Sequence, residues 1–350
     1  MKLYNDISTA AQASYAGLDV AAKDAEMRRS IANLPGGFAS KRLRGKVYWY
    51  YQIKSPGGVP QQIFVGPDDP ATLALMSRHA EVGVKTHLES LQKLTRAAAE
   101  LGCAEIPLKH GRVIGRLLDH GFFNAGGLLV GTHAFLAYQN MFGVRWSAGA
   151  FTVDLDFAHA GKNLSVAMSS NIQMDTVRAI DSLEMGFIPV MSKTTFKKPD
   201  EPDFDLDFLT TYGRSGDKPI FLSALNLTLQ PLKFMELSLE DPMKSTLLFR
   251  NGPLVVNIPR PQRFVLHKLI VHGERPKEQR VKANKDVSQA ACLMDYLLEH
   301  DADLVKESWQ DVMSRGPGWR GRLDKGWAAL NKQFPDQEFG QRLASVLAQA

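Results

Sequence analysis

Alternation of apolar and polar positions marks the middle of the chain. In Phe151-Thr-Val-Asp-Leu-Asp-Phe157, Val153, Leu155 and Phe157 alternate with Asp154 and Asp156. That period of two predicts a strand with one face on a core and two carboxylates on the other. Phe204-Asp-Leu-Asp-Phe208 repeats the pattern, with Asp205 and Asp207 on its polar face. Upstream, residues 128–130 predict a short buried strand, and Gly131 permits a tight turn. A helix is expected from about His133 to Phe142, stopping at Gly143.

The rest of the chain punctuates itself with Gly and Pro. Residues 1 to about 35 read as helix, ending at Leu34-Pro-Gly-Gly37. Residues 46–53 and 61–65 read as a hairpin around Ser55-Pro-Gly-Gly58. A long helix should start at Pro70, capped by Asp69, and run to about Leu101. A helix over 174–185 leads into a strand over 187–191, and 197–203 read as a surface loop. Residues 232–239 and 253–258 are β-rich. From Pro261 the chain reads as helical to its end, with a break at Arg315-Gly-Pro-Gly-Trp-Arg320. The expected fold is α/β in the α+β sense: a small mixed sheet flanked by helices. Its parts are a helical and β-hairpin subdomain (1–106), a core (107–260) and a C-terminal helical domain (261–350).

Composition narrows the setting. With 350 residues, 44% hydrophobic and 23% charged, the chain has ample material for a buried core. Cys103 and Cys292 are its only cysteines and form no CxxC pattern, which fits a reducing cytoplasm and argues against a disulfide or zinc site. The N-terminus lacks a signal-peptide apolar core, and no apolar run is long enough for a membrane span. A net charge of +5 permits a polyanionic partner without requiring one. HExxH, GxSxG and GxxxxGK[ST] are all missing, which argues against zinc proteases, serine hydrolases and P-loop enzymes.

The acidic strand carries the chemistry. Alternate residues put Asp154 and Asp156 on one side, roughly 7 Å apart at Cα. Mg²⁺ favours such carboxylate oxygens together with phosphate. Two such ions about 4 Å apart can stabilise the attacking and leaving oxygens of an in-line phosphoryl displacement. A strand, a Gly131-Thr132 turn and a helix N-terminus offer backbone N–H groups to a triphosphate. Either feature alone is common; their conjunction, with a second acidic strand and a basic helix following in order, is not.

Gly131-Thr132, Asp154-Leu-Asp156 and a later strand aspartate resemble the signature of the DNA polymerase β-like nucleotidyltransferase superfamily. The strings GTHAFLAY, TVDLDFA, EMGFIPV, DLDFLT, RFVLHKLIVHGER and KANKDVSQA further resemble a bacterial nucleotidyltransferase-fold family within it, over about residues 20–330. The resemblance implies that Asp154 and Asp156 bind two Mg²⁺ ions. It implies Asp207 as the third carboxylate, since the family strand has an acid directly before Phe-Leu-Thr. Gly131 and Thr132 would hold the phosphates. About 22 residues separate Thr132 from Asp154, more than is common in the superfamily, so 144–150 must form a loop or an extra strand.

The implied activity is transfer of an NMP group from an NTP to an acceptor hydroxyl on RNA (tRNA among them), protein or a small molecule. Pyrophosphate would leave, in a cleft between sheet and C-terminal helices. A regulatory partner protein is compatible with it. The alternative is a non-catalytic nucleotide- or nucleic-acid-binding module that keeps the fold. On the helix after Pro261, Lys268, His272 and Arg275 form a basic face, either solvated or gripping phosphates; the resemblance favours the second for Lys268. Lys285 either supports the phosphates or makes a surface salt bridge. Residues 40–51 interleave basic and aromatic side chains, as do Arg315, Trp319, Arg320 and Arg322. Single-strand stacking is one reading and core packing the favoured one. His133 reads as a helix-start residue.

Overall fold

The computed structural model describes residues 2–27, 36–43, 45–53, 61–81, 84–149, 152–161, 175–213, 216–275, 278 and 280–348. Strand β1 (Tyr4–Asp6) and helix α1 (Thr9–Met27) come first, then β2 (Gly36–Leu43), β3 (Lys46–Ile53) and β4 (Gln61–Pro67). Helices α2 (Pro70–Glu81), α3 (Val84–Glu100) and α4 (Leu108–Asp119) follow, then β5 (Leu128–Leu129), α5 (Gly131–Phe142), β6 (Val144–Trp146) and β7 (Leu155–Ala158). Next are α6 (Thr176–Asp181), β8 (Ile188–Val190), β9 (Thr195–Lys198), β10 (Glu201–Thr211), β11 (Ile220–Leu222), β12 (Leu227–Leu232) and α7 (Glu236–Leu239). The chain continues through β13 (Met243–Phe249), β14 (Gly252–Ile258), α8 (Pro261–Glu274), α9 (Arg280–His300), α10 (Ala302–Ser314), α11 (Pro317–Gln333) and α12 (Phe339–Ala348). The class is α+β, as expected. Among the described residues no helix is long and apolar enough to cross a membrane.

The central sheet is mixed, in the order β11-β12-β10-β7-β5, with β9 on β10 and β8 on β9. Strand β10 is its hub. It runs parallel to β7 over 206–209, antiparallel to β9 at its start and parallel to β12 at its end. The alternation of the sequence explains this placement. Leu155, Phe157, Phe204, Leu206 and Phe208 are fully buried. Phe157 stacks on Phe208 with ring centroids 5.3 Å apart, and Phe122 and Phe196 meet the same cluster edge-on. Burying an aromatic or aliphatic side chain is worth about 1.5–3 kcal/mol. A one-residue slip of either strand would turn this whole set out of the core.

The flanking helices lock onto the core. Helix α1 lies on the β13–β14 hairpin, where Tyr15 donates from its hydroxyl to the Thr246 carbonyl at 3.0 Å. At the other end α8 packs on α9 and α11. Two glycines permit the α8–α11 approach: a Cβ on Gly326 would lie 2.1 Å from the Leu269 carbonyl oxygen, and one on Gly273 2.4 Å from that of Arg322.

Several expectations are corrected. The first element is a strand, with helix only from Thr9; Tyr4 is drawn under Trp146 and Tyr296, and β1 pairs with β6. That pairing makes Val144–Trp146 an extra strand, one of the two forms foreseen there. The hairpin gains a third strand, β2, in an antiparallel β2-β3-β4 sheet; its turn at 55–58 lies outside the described residues, as do 28–35, 82–83 and 162–174. The helix from Pro70 runs to Glu81, and helix resumes at Val84; the Asp69 cap is present, accepting from the Thr72 backbone N–H at 2.8 Å. Residues 197–203 are not a loop but the tight β9–β10 hairpin, its turn drawn in by Lys198 on Asp200 (2.6 Å) and Glu201 (2.8 Å). Residues 232–239 leave the strand after Leu232, turn through Phe234, whose φ is +66°, and end in α7.

Because the Gly326 contact is backbone against backbone, Gly326→Ala has no flexible side chain to displace. It should lower stability by about 1–3 kcal/mol by overpacking, read as a lower melting temperature. A melting temperature equal to that of the parent would mean that α8 and α11 do not touch there.

Candidate active site

The carboxylates sit where the buried ladder puts them. Asp154 lies just before β7, and Asp156 lies within it. Asp156 and Asp207 are direct partners in the parallel β7–β10 register, between the buried pairs Leu155–Leu206 and Phe157–Phe208. Asp207 in turn pairs with Thr195 of β9, whose hydroxyl donates to Asp207 Oδ1 at 2.6 Å. Asp205, two residues earlier, is held differently: Lys197 Nζ donates to its Oδ2 at 2.8 Å. Asp205 is thus neutralised by a cation, and Asp207 stands beside Asp156 with a neutral hydroxyl for support.

Crowding raises the proton affinity of the group. Burial, then the charge of Asp207, pushes Asp156 up to about 6, against the pull of Lys268 and Lys285. Burial also raises Asp154 and Asp207 above the usual carboxylate range. These are carboxylates whose negative charge is undersupplied with water and counter-charge. Among the described residues, however, no group of three or more His, Cys, Asp or Glu side chains is already gathered closely enough to hold a metal ion.

Gly131 meets this acid from the other side. It is the first residue of α5, two positions earlier than expected, and its φ is +61°. A Cβ there would lie 2.0 Å from Asp156 Oδ2, and the left-handed φ strains most other residues, so both the close approach and the backbone favour glycine. The Val130 N–H donates to the Asp156 carbonyl at 2.9 Å, tying the helix start to β7. No side chain caps the N-terminus of α5, and Gly143 ends the helix in the left-handed region, as expected. Thr132 differs from expectation. Its side chain is buried, and its hydroxyl accepts from Gln289 Nε2 of α9 at 3.1 Å. Gln289 also donates to the Gly149 carbonyl at 2.9 Å, so it stitches the helix start to α9.

The basic face of α8 turns inward. Lys268 Nζ donates to Asp286 Oδ1 at 2.7 Å, and Arg275 Nε donates to Asp286 Oδ2 at 2.8 Å. Asp286 is 2% exposed. Burial works against its charge, yet Lys268 and Arg275 hold it below the usual carboxylate range. Two cations on one carboxylate leave a net positive charge beside Asp156. His272 is not a third arm of this grip; its Nδ1 lies 3.2 Å from the Ala283 carbonyl. Lys285 is half-buried, lowered by burial and by Lys268, and drawn electrostatically to Asp156 and Asp154.

A cavity of about 150 Å³ separates the sheet from these helices. Gly131 and Asp156 line one side; Lys268, Arg275 and Asp286 line the other, with Lys233, Ser238 and His267 between. Asp154, Asp207, Thr132 and Lys285 are not among its described lining residues. His267, Lys233 and Ser238 carried no motif that would have singled them out. Burial pushes the His267 imidazole down to about 3, and its buried Nε2 has no hydrogen-bond partner among the described residues.

Several of the other sequence candidates are engaged in packing or ion pairs, while Lys41, Arg42 and Arg320 are exposed. His133 and His110 are buried against each other, with ring nitrogens 3.0 Å apart. Tyr51 is buried, and Trp49 donates from Nε1 to Asp68 at 2.8 Å. Arg315 is bound by Glu240 and Asp311 beneath Trp319, and Arg322 by Glu274 over Phe234.

A protein-family model described as Nucleotidyltransferase matches residues 109–314, from α4 through α10. That span takes in α5, β7, β10, β12, α7, α8 and α9, the elements whose described residues line the cavity beside Asp156 or carry its neighbouring carboxylates. No curated protein and no solved structure matches the chain. The match covers more than half of the chain, and on that ground the protein belongs to the nucleotidyltransferase family.

Proposed function

We propose that the chain moves an NMP group from an NTP to an acceptor hydroxyl on RNA, tRNA included, or on protein, with Mg²⁺ bound by Asp154, Asp156 and Asp207. The observation that carries this reading is the pairing of Asp156 with Asp207 in register, against the uncapped N-terminus of α5. Three hard oxygen donors with raised proton affinity suit a divalent cation, which would relieve their mutual repulsion. They are not gathered into a cage beforehand, so small side-chain movements accompany binding. Bound Mg²⁺ would supply charge neutralisation at the phosphates and a lower pKa for the acceptor hydroxyl.

The chain's own groups do the remaining work. Backbone N–H groups at Gly131 and Thr132 donate to the phosphate oxygens at the start of α5. The Thr132 hydroxyl, already used by Gln289, holds α9 in place instead. Lys268 and Lys285 neutralise the triphosphate from the helical side. Asp207 Oδ1 is occupied by Thr195, which leaves Oδ2 to take the acceptor's proton. The acceptor oxygen then bonds to the α-phosphorus, the bond to the β-phosphate bridge breaks, and pyrophosphate leaves. Positioning and charge neutralisation account for most of the rate. A nucleotide needs more room than about 150 Å³. Binding therefore opens the Lys268–Asp286 contact, exchanging the carboxylate for phosphate oxygens. We place the protein in the cytoplasm, where a partner protein can restrain it.

Two outcomes test this assignment. With labelled NTPs, Mg²⁺ and either total RNA or the protein itself, wild-type label transfer should vanish in Asp156→Asn while the circular dichroism spectrum is kept. The same variant should lose the rise in melting temperature that Mg²⁺ gives the parent. Transfer that persists in the variant would remove Asp156 from the site. On β10 the two acids should part: Asp207→Ala loses about 10²–10³-fold in transfer rate, and Asp205→Ala keeps most of it. The reverse order would assign the third carboxylate to Asp205.

A further inference from the structure

Arg275 faces two spaces. Beyond the cavity beside Asp156 it also lines a wider cleft, of about 780 Å³, between α8, α9 and α11. His272 and Arg275 contribute from the end of α8, Arg280 and Asn284 from the start of α9, and Lys332 and Gln333 from the end of α11. No Asp or Glu is among the described lining residues. The volume falls within the roughly 300–1,000 Å³ of small-ligand sites.

The charges of this cleft have one sign. Arg275 gives one donor to Asp286, but Lys268 shares that same carboxylate. Two cations and one anion leave the trio positive. Arg280 and Lys332 add two exposed cations at the mouth. Arg280 and Asn284 lie at the start of the 21-residue α9, where the helix dipole is positive. Guanidinium forks, an ammonium group and an amide all donate, and they suit a ligand with several anionic oxygens. Phosphate is that chemistry.

We propose that the α8–α9–α11 cleft is a second phosphate-binding site, joined through Arg275 to the transfer site at Asp156. Its occupant is either the distal phosphates of the NTP or the backbone phosphates of an RNA acceptor. The anion site stands on the cleft itself; its part in transfer rests on the function proposed above.

The test needs no turnover, so it stays informative whatever Asp156→Asn does. Binding of a fluorescein-labelled single-stranded RNA oligonucleotide, with no NTP present, and of a fluorescent ATP analogue is measured by anisotropy on the full chain. Arg280→Glu combined with Lys332→Glu should weaken at least one probe by about tenfold or more. If that probe is RNA, the slope of log affinity against log salt should fall by about two. Loss for RNA alone assigns the cleft to the acceptor backbone, and loss for the ATP analogue alone assigns it to the nucleotide. Arg280→Gln with Lys332→Gln, which keeps side-chain length, should give the same preference with a smaller loss and an unchanged melting curve. Affinities within twofold of the parent for both probes in both variants overturn the proposal, as does a wild-type chain that binds neither.

Discussion

Leu155 and Phe157 pair with Leu206 and Phe208 across a parallel ladder, and all four are fully buried. That shared apolar face decides where the acids go. With a side-chain period of two, Asp156 and Asp207 must emerge together on the opposite face. The cost of crowding two carboxylates is carried by the aromatic cluster beneath them, where Phe157, Phe208, Phe122 and Phe196 interlock. Gly131 then brings a helix N-terminus against Asp156, where a Cβ would crowd the carboxylate. Strand register, glycine and helix dipole converge on one point of the sheet.

Opposite that point the helices answer with a different device. Asp286 is an acid buried among bases, and it gathers Lys268 from α8 and Arg275 from the end of α8 onto α9. Removing one partner of a buried pair leaves an uncompensated charge. The trio therefore acts as one positive body rather than three separate side chains. It holds α8 and α9 in register and keeps positive potential facing Asp156. Gln289 does the uncharged version of this job, tying Thr132 and Gly149 to α9. The site is thus built between a negative sheet and a positive helical wall.

The strands of this arrangement were legible in the sequence because alternation is local. Asp156, Asp205 and Asp207 could be placed on their strands from neighbours alone, whereas Asp154 lies one residue before β7, and Gly143 announced the end of α5. The fate of the basic face was not legible. Lys268 and Asp286 are 18 residues apart, on helices whose relative rotation is set by packing. Thr132 and Gln289 are 157 apart, so nothing near Thr132 signalled that its hydroxyl would be taken. Strand β1 was hidden for the same reason: Tyr4–Asp6 becomes a strand only because β6 is there to pair with it. The β9–β10 hairpin was masked by its charges, since Lys198, Asp200 and Glu201 read as solvated loop residues although they close a tight turn. Long-range pairing, not local propensity, separates what could be read from what could not.

The proposed transfer requires a cation and a triphosphate to meet between the two walls. Crystals grown with Mn²⁺ and a non-hydrolysable NTP analogue measure this directly, through the anomalous signal of the metal. The expected result is manganese between Asp156 and Asp207, within reach of Asp154, with the phosphates at the start of α5 and Lys268 swung from Asp286 toward them. Nucleotide bound elsewhere, with no metal between those two strands, would contradict it.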